Sequence, residues 1–183
     1  MLSERVSDRV RAGARSAGVT LNAVLNAAWA LALSNQVGRD DVVFGTTVAG
    51  RPADVPGVES VIGLFLNTVP VRVALDPRET VGALLRRIQD DRGRLMAHEH
   101  VGLGVIQREA GHTHLFDTLY VLQNFSGGDD DLAGLKERHG IVSSGSVDAT
   151  HYPLVLVIAP GRSCWSGWTT GQTCSHRQPP RRC

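Results

Sequence analysis

The sequence predicts an α/β domain in which helices cover a sheet, and three observations carry that expectation. Residues 21–36 and 80–96 bear apolar side chains at helical spacing, whereas 42–48 and 64–75 are strand-like runs rich in valine and threonine. The two kinds of segment alternate along the chain, as a layered fold requires. Both strand runs are largely apolar, so each needs a covering layer. No internal repeat is visible.

In chain order, residues 3–17 are polar and Arg-rich with small residues interleaved, the pattern of a solvated surface helix that Gly18 ends. Thr20 suits the N-cap of a buried helix over 21–36. Its expected apolar stripe is Leu21, Val24, Leu25, Ala28, Trp29, Ala32 and Leu33, with Ala23, Ala27 and Ala30 adding propensity. Gly38-Arg39-Asp40-Asp41 turns the chain into a strand at 42–48, which Gly50-Arg51-Pro52 breaks. Residues 53–63 read as an irregular loop with at most a short helical turn. In 64–75 the period-two rule places Phe65, Asn67, Val69, Val71, Val73 and Leu75 on one face. Asn67 is the polar exception there. Pro70 cannot donate to a ladder, so this strand belongs at a sheet edge or carries a bulge.

Asp76-Pro77 leads into the clearest helix, capped by Thr80, with Val81, Leu84, Leu85, Ile88, Leu95 and Met96 on one stripe. Arg86, Arg87, Asp90, Asp91 and Arg94 take the other side, expected to face solvent. A shorter helix at 102–110 stops at Gly111. Strands at 118–125 and 152–158 follow, separated in part by a polar loop at 126–131.

A hydrophobic share of 42% over 183 residues suffices for one sizeable core. Lys and Arg number 19 against 18 Asp and Glu, so the net charge of +1 offers no broad field for nucleic acid or an anionic membrane. No apolar run approaches the roughly 20 residues of a membrane span, and the first residues lack a secretion signal. The cytoplasm is therefore the expected compartment.

Several chemistries find little support. His98-Glu99-His100 and the pair His112 and His114 are short H-x-H repeats without the cysteines or i, i+4 histidines typical of zinc sites, so no metal is expected. There is no Gly-x-Ser-x-Gly elbow for a serine hydrolase. Gly102-Leu103-Gly104 neither follows a strand nor ends in Lys-Ser/Thr, so it is a poor phosphate loop.

The string Ile62-Gly63-Leu64-Phe65-Leu66-Asn67-Thr68-Val69-Pro70-Val71-Arg72 resembles the fifth core motif of condensation domains of nonribosomal peptide synthetases. The flanks agree in order: Val19-Thr20-Leu21-Asn22 before Trp29, Val43-Phe44-Gly45-Thr46-Thr47-Val48-Ala49-Gly50-Arg51-Pro52, and Leu115-Phe116-Asp117-Thr118 before Gln123-Asn124-Phe125. The resemblance implies a chloramphenicol-acetyltransferase-like layered sheet with helices, of which this chain holds the C-terminal half only, over residues 1–160. It implies as partners peptidyl carrier proteins and a missing N-terminal subdomain. No cofactor is expected to bind directly, phosphopantetheine being carried by the carrier proteins. By the same resemblance, Gly50 and Arg51 belong to the segment that bridges the subdomains and floors the substrate tunnel, with Ala49 where many relatives carry serine. Asn67, Thr68 and Arg72 belong to the tunnel wall or to its support: Asn67 as a core amide or a substrate contact, Arg72 as a substrate contact or the partner of a carboxylate. The Arg-rich side of the 80–96 helix is a solvated face or, alternatively, a carrier-protein contact.

The family joins two carrier-tethered substrates: an amine attacks a thioester and an amide forms. Its motif for that step is His-His-x-x-x-Asp-Gly. The seven histidines here, at 98, 100, 112, 114, 139, 151 and 176, include no adjacent pair, so no catalytic residue is expected in this chain and it is expected to be inactive alone. The alternatives are a non-catalytic carrier-protein-binding module, or one half of a split condensation or epimerisation domain.

Residues 161–183 read differently. All three cysteines, Cys164, Cys174 and Cys183, lie there, with Trp, Pro and Arg enriched and neither structural period present. An irregular tail translated out of frame is the expectation, and sequencing of the coding DNA checks it: an unbroken frame that full-length relatives share would overturn it.

Overall fold

Short polar side chains start the three longest helices. Ser3, Thr20 and Thr80 each accept a hydrogen bond from the backbone N–H three residues on, opening α1 (Glu4–Ser16), α2 (Leu21–Val37) and α3 (Val81–Met96). Gly38, at φ 66°, supplies the left-handed residue that closes α2. The computed structural model describes residues 3–49, 55–63, 65–123, 151–160 and 164–170. Gly50, Arg51, Leu64, Asn124, Phe125 and the expected loop at 126–131 lie outside the described residues.

The strands are β1 (Asp41–Ala49), β2 (Leu66–Ala74), β3 (Thr118–Leu122), β4 (Leu154–Pro160) and β5 (Cys164–Thr170), arranged β2-β1-β3-β4-β5. β1 is antiparallel to β2 and parallel to β3, β3 is parallel to β4, and β4 is antiparallel to β5. A single 3-10 turn (Val58–Ser60) and a short α4 (Leu103–Glu109) complete the described elements. The α/β expectation holds, and the loop before β2 carries the one short helical turn anticipated for it.

Alternation sets the two faces of the sheet. Val42, Phe44, Thr46 and Val48 of β1 are buried and lie opposite Val73, Val71, Val69 and Asn67 of β2, so all eight share one face. Trp29 and Leu33 of α2 and Leu84 and Ile88 of α3 pack onto that face with Tyr120, Leu156 and Ile158. Phe44 and Tyr120 meet edge to face, ring centroids 6.4 Å apart. From α3, the Gln89 side chain bonds the turn between α1 and α2 like a strand of backbone, accepting from Thr20 N–H at 2.7 Å and donating to Gly18 O at 3.3 Å.

β2 ends the sheet among the described residues, the position that Pro70 demands. Leu75 N–H donates to Asp40 O, so by alternation Val69, Val71 and Val73 bond to β1 while the backbone groups of residues 68, 70, 72 and 74 face outward. That outer edge is largely blunted. Thr68 N–H donates to the Asn67 side chain, Pro70 has no N–H, and Ala74 O accepts from Arg87.

Four sequence expectations are corrected. The buried face of α2 is Ala23, Asn26, Ala27, Ala30 and Leu33 with Trp29, while Ala28 and Ala32 are exposed. Hydrophobic periodicity weights large side chains, whereas a helix that lies close to its neighbours buries small ones. Val81 and Met96, assigned to the apolar stripe of α3, are 67% and 64% exposed because they sit at its ends. Arg87, assigned to the solvated side, is half-buried, reaching Ala74 O at 2.7 Å and Glu79 Oε2 at 2.7 Å. Finally, residues 164–170 of the tail expected to be irregular form β5, in register with β4 from Leu154↔Thr170 to Pro160↔Cys164. Backbone pairing along a neighbour needs no apolar period.

Gly45 is a steric requirement. A Cβ built there would stand 2.3 Å from Cε2 of Phe116, whose ring stacks on Tyr152. Gly45→Ala is expected to destabilise the fold by about 1–3 kcal/mol, the usual cost of overpacking. Urea unfolding checks this, with a lowered midpoint at unchanged m-value expected.

Candidate functional site

Asn67 stands near the N-terminal end of β2, on the helix-covered face, where the chain leaving α3 crosses it. Its Nδ2 donates to Glu99 O at 2.6 Å and Val101 O at 2.9 Å, and its Oδ1 accepts from Thr68 N–H at 2.9 Å. The amide thus clamps the turn 98–101 onto the strand. Arg92 reinforces the clamp from α3 through an ion pair with Glu99, both side chains mostly withdrawn from solvent. His98 and His100 flank Glu99 and are exposed. Among the described residues no three His, Cys, Asp or Glu side chains converge as a metal site.

Both ends of the Asn67 side chain bond backbone groups, as a core amide does. Thr68 lies opposite Thr47 on β1 with its backbone N–H taken by Asn67. Arg72 lies on the opposite face of the sheet from Asn67 and grips Asp41 with two nitrogens, Nε at 3.0 Å from Oδ1 and Nη2 at 2.7 Å from Oδ2. The structure therefore does not bring Asn67 and Arg72 to one point, and Arg72 is the partner of a carboxylate. Gly50 and Arg51 lie outside the described residues.

The hydrogen bonds from Arg72 hold the Asp41 carboxyl below its ordinary value of 3.8. Glu79 is lowered in the same way by its bonds from Arg87. The clamp partners Arg92 and Glu99 escaped sequence reasoning because Glu99 was read within an H-x-H repeat. The signal was present: Arg92 and Glu99 are seven residues apart, two helical turns, so one face of a continued α3 joins them. Gln89 was equally illegible, since nothing local marks an amide that bonds a turn 69 positions earlier in the chain.

A family model described as Condensation domain matches residues 1–166. The chain is 42% identical over 167 residues to chondramide synthase cmdD of Chondromyces crocatus, covering 88% of this chain and 4% of that protein. It is 36% identical over 164 residues to vanchrobactin synthetase VabF of Vibrio anguillarum, covering 87% of this chain and 6% of that one. The chain thus spans a few hundredths of the length of these curated relatives. In fold it is similar to the first condensation domain of the calcium-dependent antibiotic synthetase in complex with a substrate analogue, with TM-score 0.72 at 20% identity over 94% of this chain and 40% of the other. The crystal structure of holo T3CT matches with TM-score 0.65 at 26% identity over 80% of this chain and 35% of the other. These structures have the chloramphenicol-acetyltransferase-like fold expected from the sequence. No single helix among the described residues is long and apolar enough to cross a membrane.

Asn67→Ala removes three hydrogen bonds and leaves two carbonyls unpaired, an expected cost of about 1–3 kcal/mol. Hydrogen exchange is the specific readout: faster exchange at 98–101 than in the sheet is expected, and uniform loss of protection would refute the clamp. The Asp41–Arg72 pair makes a separate prediction. Because the folded pKa of Asp41 is lowered, its contribution is present above the ordinary value and is lost as pH falls through the lowered one. Asp41→Asn should therefore lose stability less steeply than wild type between about pH 5 and pH 2 in urea titrations. Parallel slopes would refute the pairing.

Proposed function

This chain belongs to the condensation-domain family, and we propose that it supplies one wall of an amide-forming tunnel without catalysing amide formation by itself. The observation that carries the reading is the family match over residues 1–166 in a sequence without His-His-x-x-x-Asp-Gly. In the proposed reaction the acceptor amine attacks the donor thioester carbonyl, the C–N bond forms, the C–S bond breaks, and the thiol departs as the amine loses a proton. That proton must be taken within hydrogen-bond reach of the nitrogen, which is the task of the histidine motif. The Asn67 amide does not replace it, since a carboxamide is no base and this one bonds three backbone groups.

On this reading the clamp is a support. It fixes the turn 98–101 against β2 so that the tunnel wall keeps its shape when substrates enter. Peptidyl carrier proteins would deliver both reactants on phosphopantetheine, and the chain itself would bind no cofactor directly. Exposed apolar side chains support a covering partner: Ile62 is fully exposed before β2, Leu66 is exposed on β2, and Val105 is exposed on α4. The N-terminal subdomain bearing the histidine motif is the proposed cover.

The test is amide formation between aminoacyl groups on two carrier proteins, followed by mass spectrometry. The chain alone is expected to yield no product. Addition of a segment bearing the histidine motif from a close relative is expected to restore it. Product from the chain alone would overturn the first expectation. No product from the mixture, with both parts folded by circular dichroism, would overturn the second.

A further inference from the structure

The two margins of the sheet are built differently. β2 is blunted by Pro70, by Arg87 on Ala74 O and by the Asn67 side chain on Thr68 N–H. At the other margin, among the described residues, β5 pairs with β4 alone. The direction of its backbone groups follows from the neighbouring ladder. Gln123 N–H donates to Ile158 O, so residues 154, 156 and 158 of β4 bond toward β3 and residues 155, 157 and 159 bond toward β5. Their partners in register are Thr169, Gly167 and Trp165, whose backbone groups therefore point inward. The N–H and C=O groups of residues 164, 166, 168 and 170 face away from the sheet.

Sheet edges are guarded by charge, by proline or by a bulge. From Ser163 to Ser175 the chain holds neither a charged residue nor a proline. The pairing of β5 with β4 also runs without a bulge from Leu154↔Thr170 to Pro160↔Cys164. Such an edge accepts another strand through main-chain hydrogen bonds. A second copy of β5, running antiparallel, fits it in a register where Cys164 faces Thr170 of the partner subunit and Ser166 faces Trp168 of the partner subunit. Each of these pairs exchanges two hydrogen bonds, so every outward group of both strands is used. The two-fold axis then passes at Gly167, which meets its own copy at the close spacing of about 4.5 Å, where no side chain has to be accommodated. No like charges oppose one another, because the strand carries none. Pairing of β5 with β2 of a second molecule would instead propagate without closing, and the blunted edge of β2 opposes it.

We propose that the outer edge of β5 is a self-association surface, through which two copies of this chain form a closed two-fold dimer with one continuous sheet. The surface is separate from the exposed Ile62, Leu66 and Val105 and does not depend on the chain's role in amide formation. Sedimentation velocity of the full chain over about a hundredfold range of concentration is the first test, with a mass that rises to twice that of the chain and no further. Ser166→Pro removes an outward N–H while leaving the bonds to β4, and should weaken the dimer at least about tenfold. Ile62→Ser should leave it unchanged. Hydrogen exchange of the wild-type chain, read by mass spectrometry, should show protection of 164–170 rising with concentration while 68–74 stays constant. A monomer at every concentration, growth beyond the dimer, or a dimer that survives Ser166→Pro but is lost in Ile62→Ser would each overturn the proposal. If Ser166→Pro fails to fold, the wild-type exchange decides: protection that does not change at 164–170 as the dimer forms overturns it.

Discussion

The register of β1 on β2 is the constraint on which the rest of this structure depends. Nine consecutive pairs, from Asp41↔Ala74 to Ala49↔Leu66, lock the two strands. Side chains alternate with a period of two, so a slip by one residue would turn Asn67 away from the helices and drive Arg72 under them. Burial of Val69 and Val73 beneath α2 and α3 excludes that slip. The clamp and the Asp41–Arg72 pair are both consequences of this one alignment.

The two faces of β2 accordingly take different duties. On the covered face, Asn67 makes three hydrogen bonds to backbone groups, which makes a polar residue acceptable among valines. On the open face, Arg72 and Asp41 are exposed enough for water to screen them, so their pairing contributes modestly to stability. The outer edge is a third surface, closed by Pro70, by Arg87 and by the Asn67 side chain except near Arg72. A strand at the margin of a sheet that is not blunted in this way invites another chain to pair with it.

The family match and the fold fit this arrangement. Within the string 62–72, Asn67 bonds three backbone groups. Chemistry in the proposed tunnel would come from elsewhere, and this chain would hold the wall in place.

The sequence by itself determined the α/β class, the caps at Thr20 and Thr80, the choice of edge or bulge that Pro70 imposes, and the sharing of one face by Asn67, Val69, Val71 and Val73, because each follows from local geometry. Only the tertiary structure decided which face of α2 is buried, that Gln89 bonds the turn at 18–20, that Arg92 pairs with Glu99, and that residues 164–170 add a strand. These depend on distances between segments far apart in the chain. No local pattern encodes such a distance; it is set by how closely the helices settle on the sheet and by which backbone groups are left to be satisfied there.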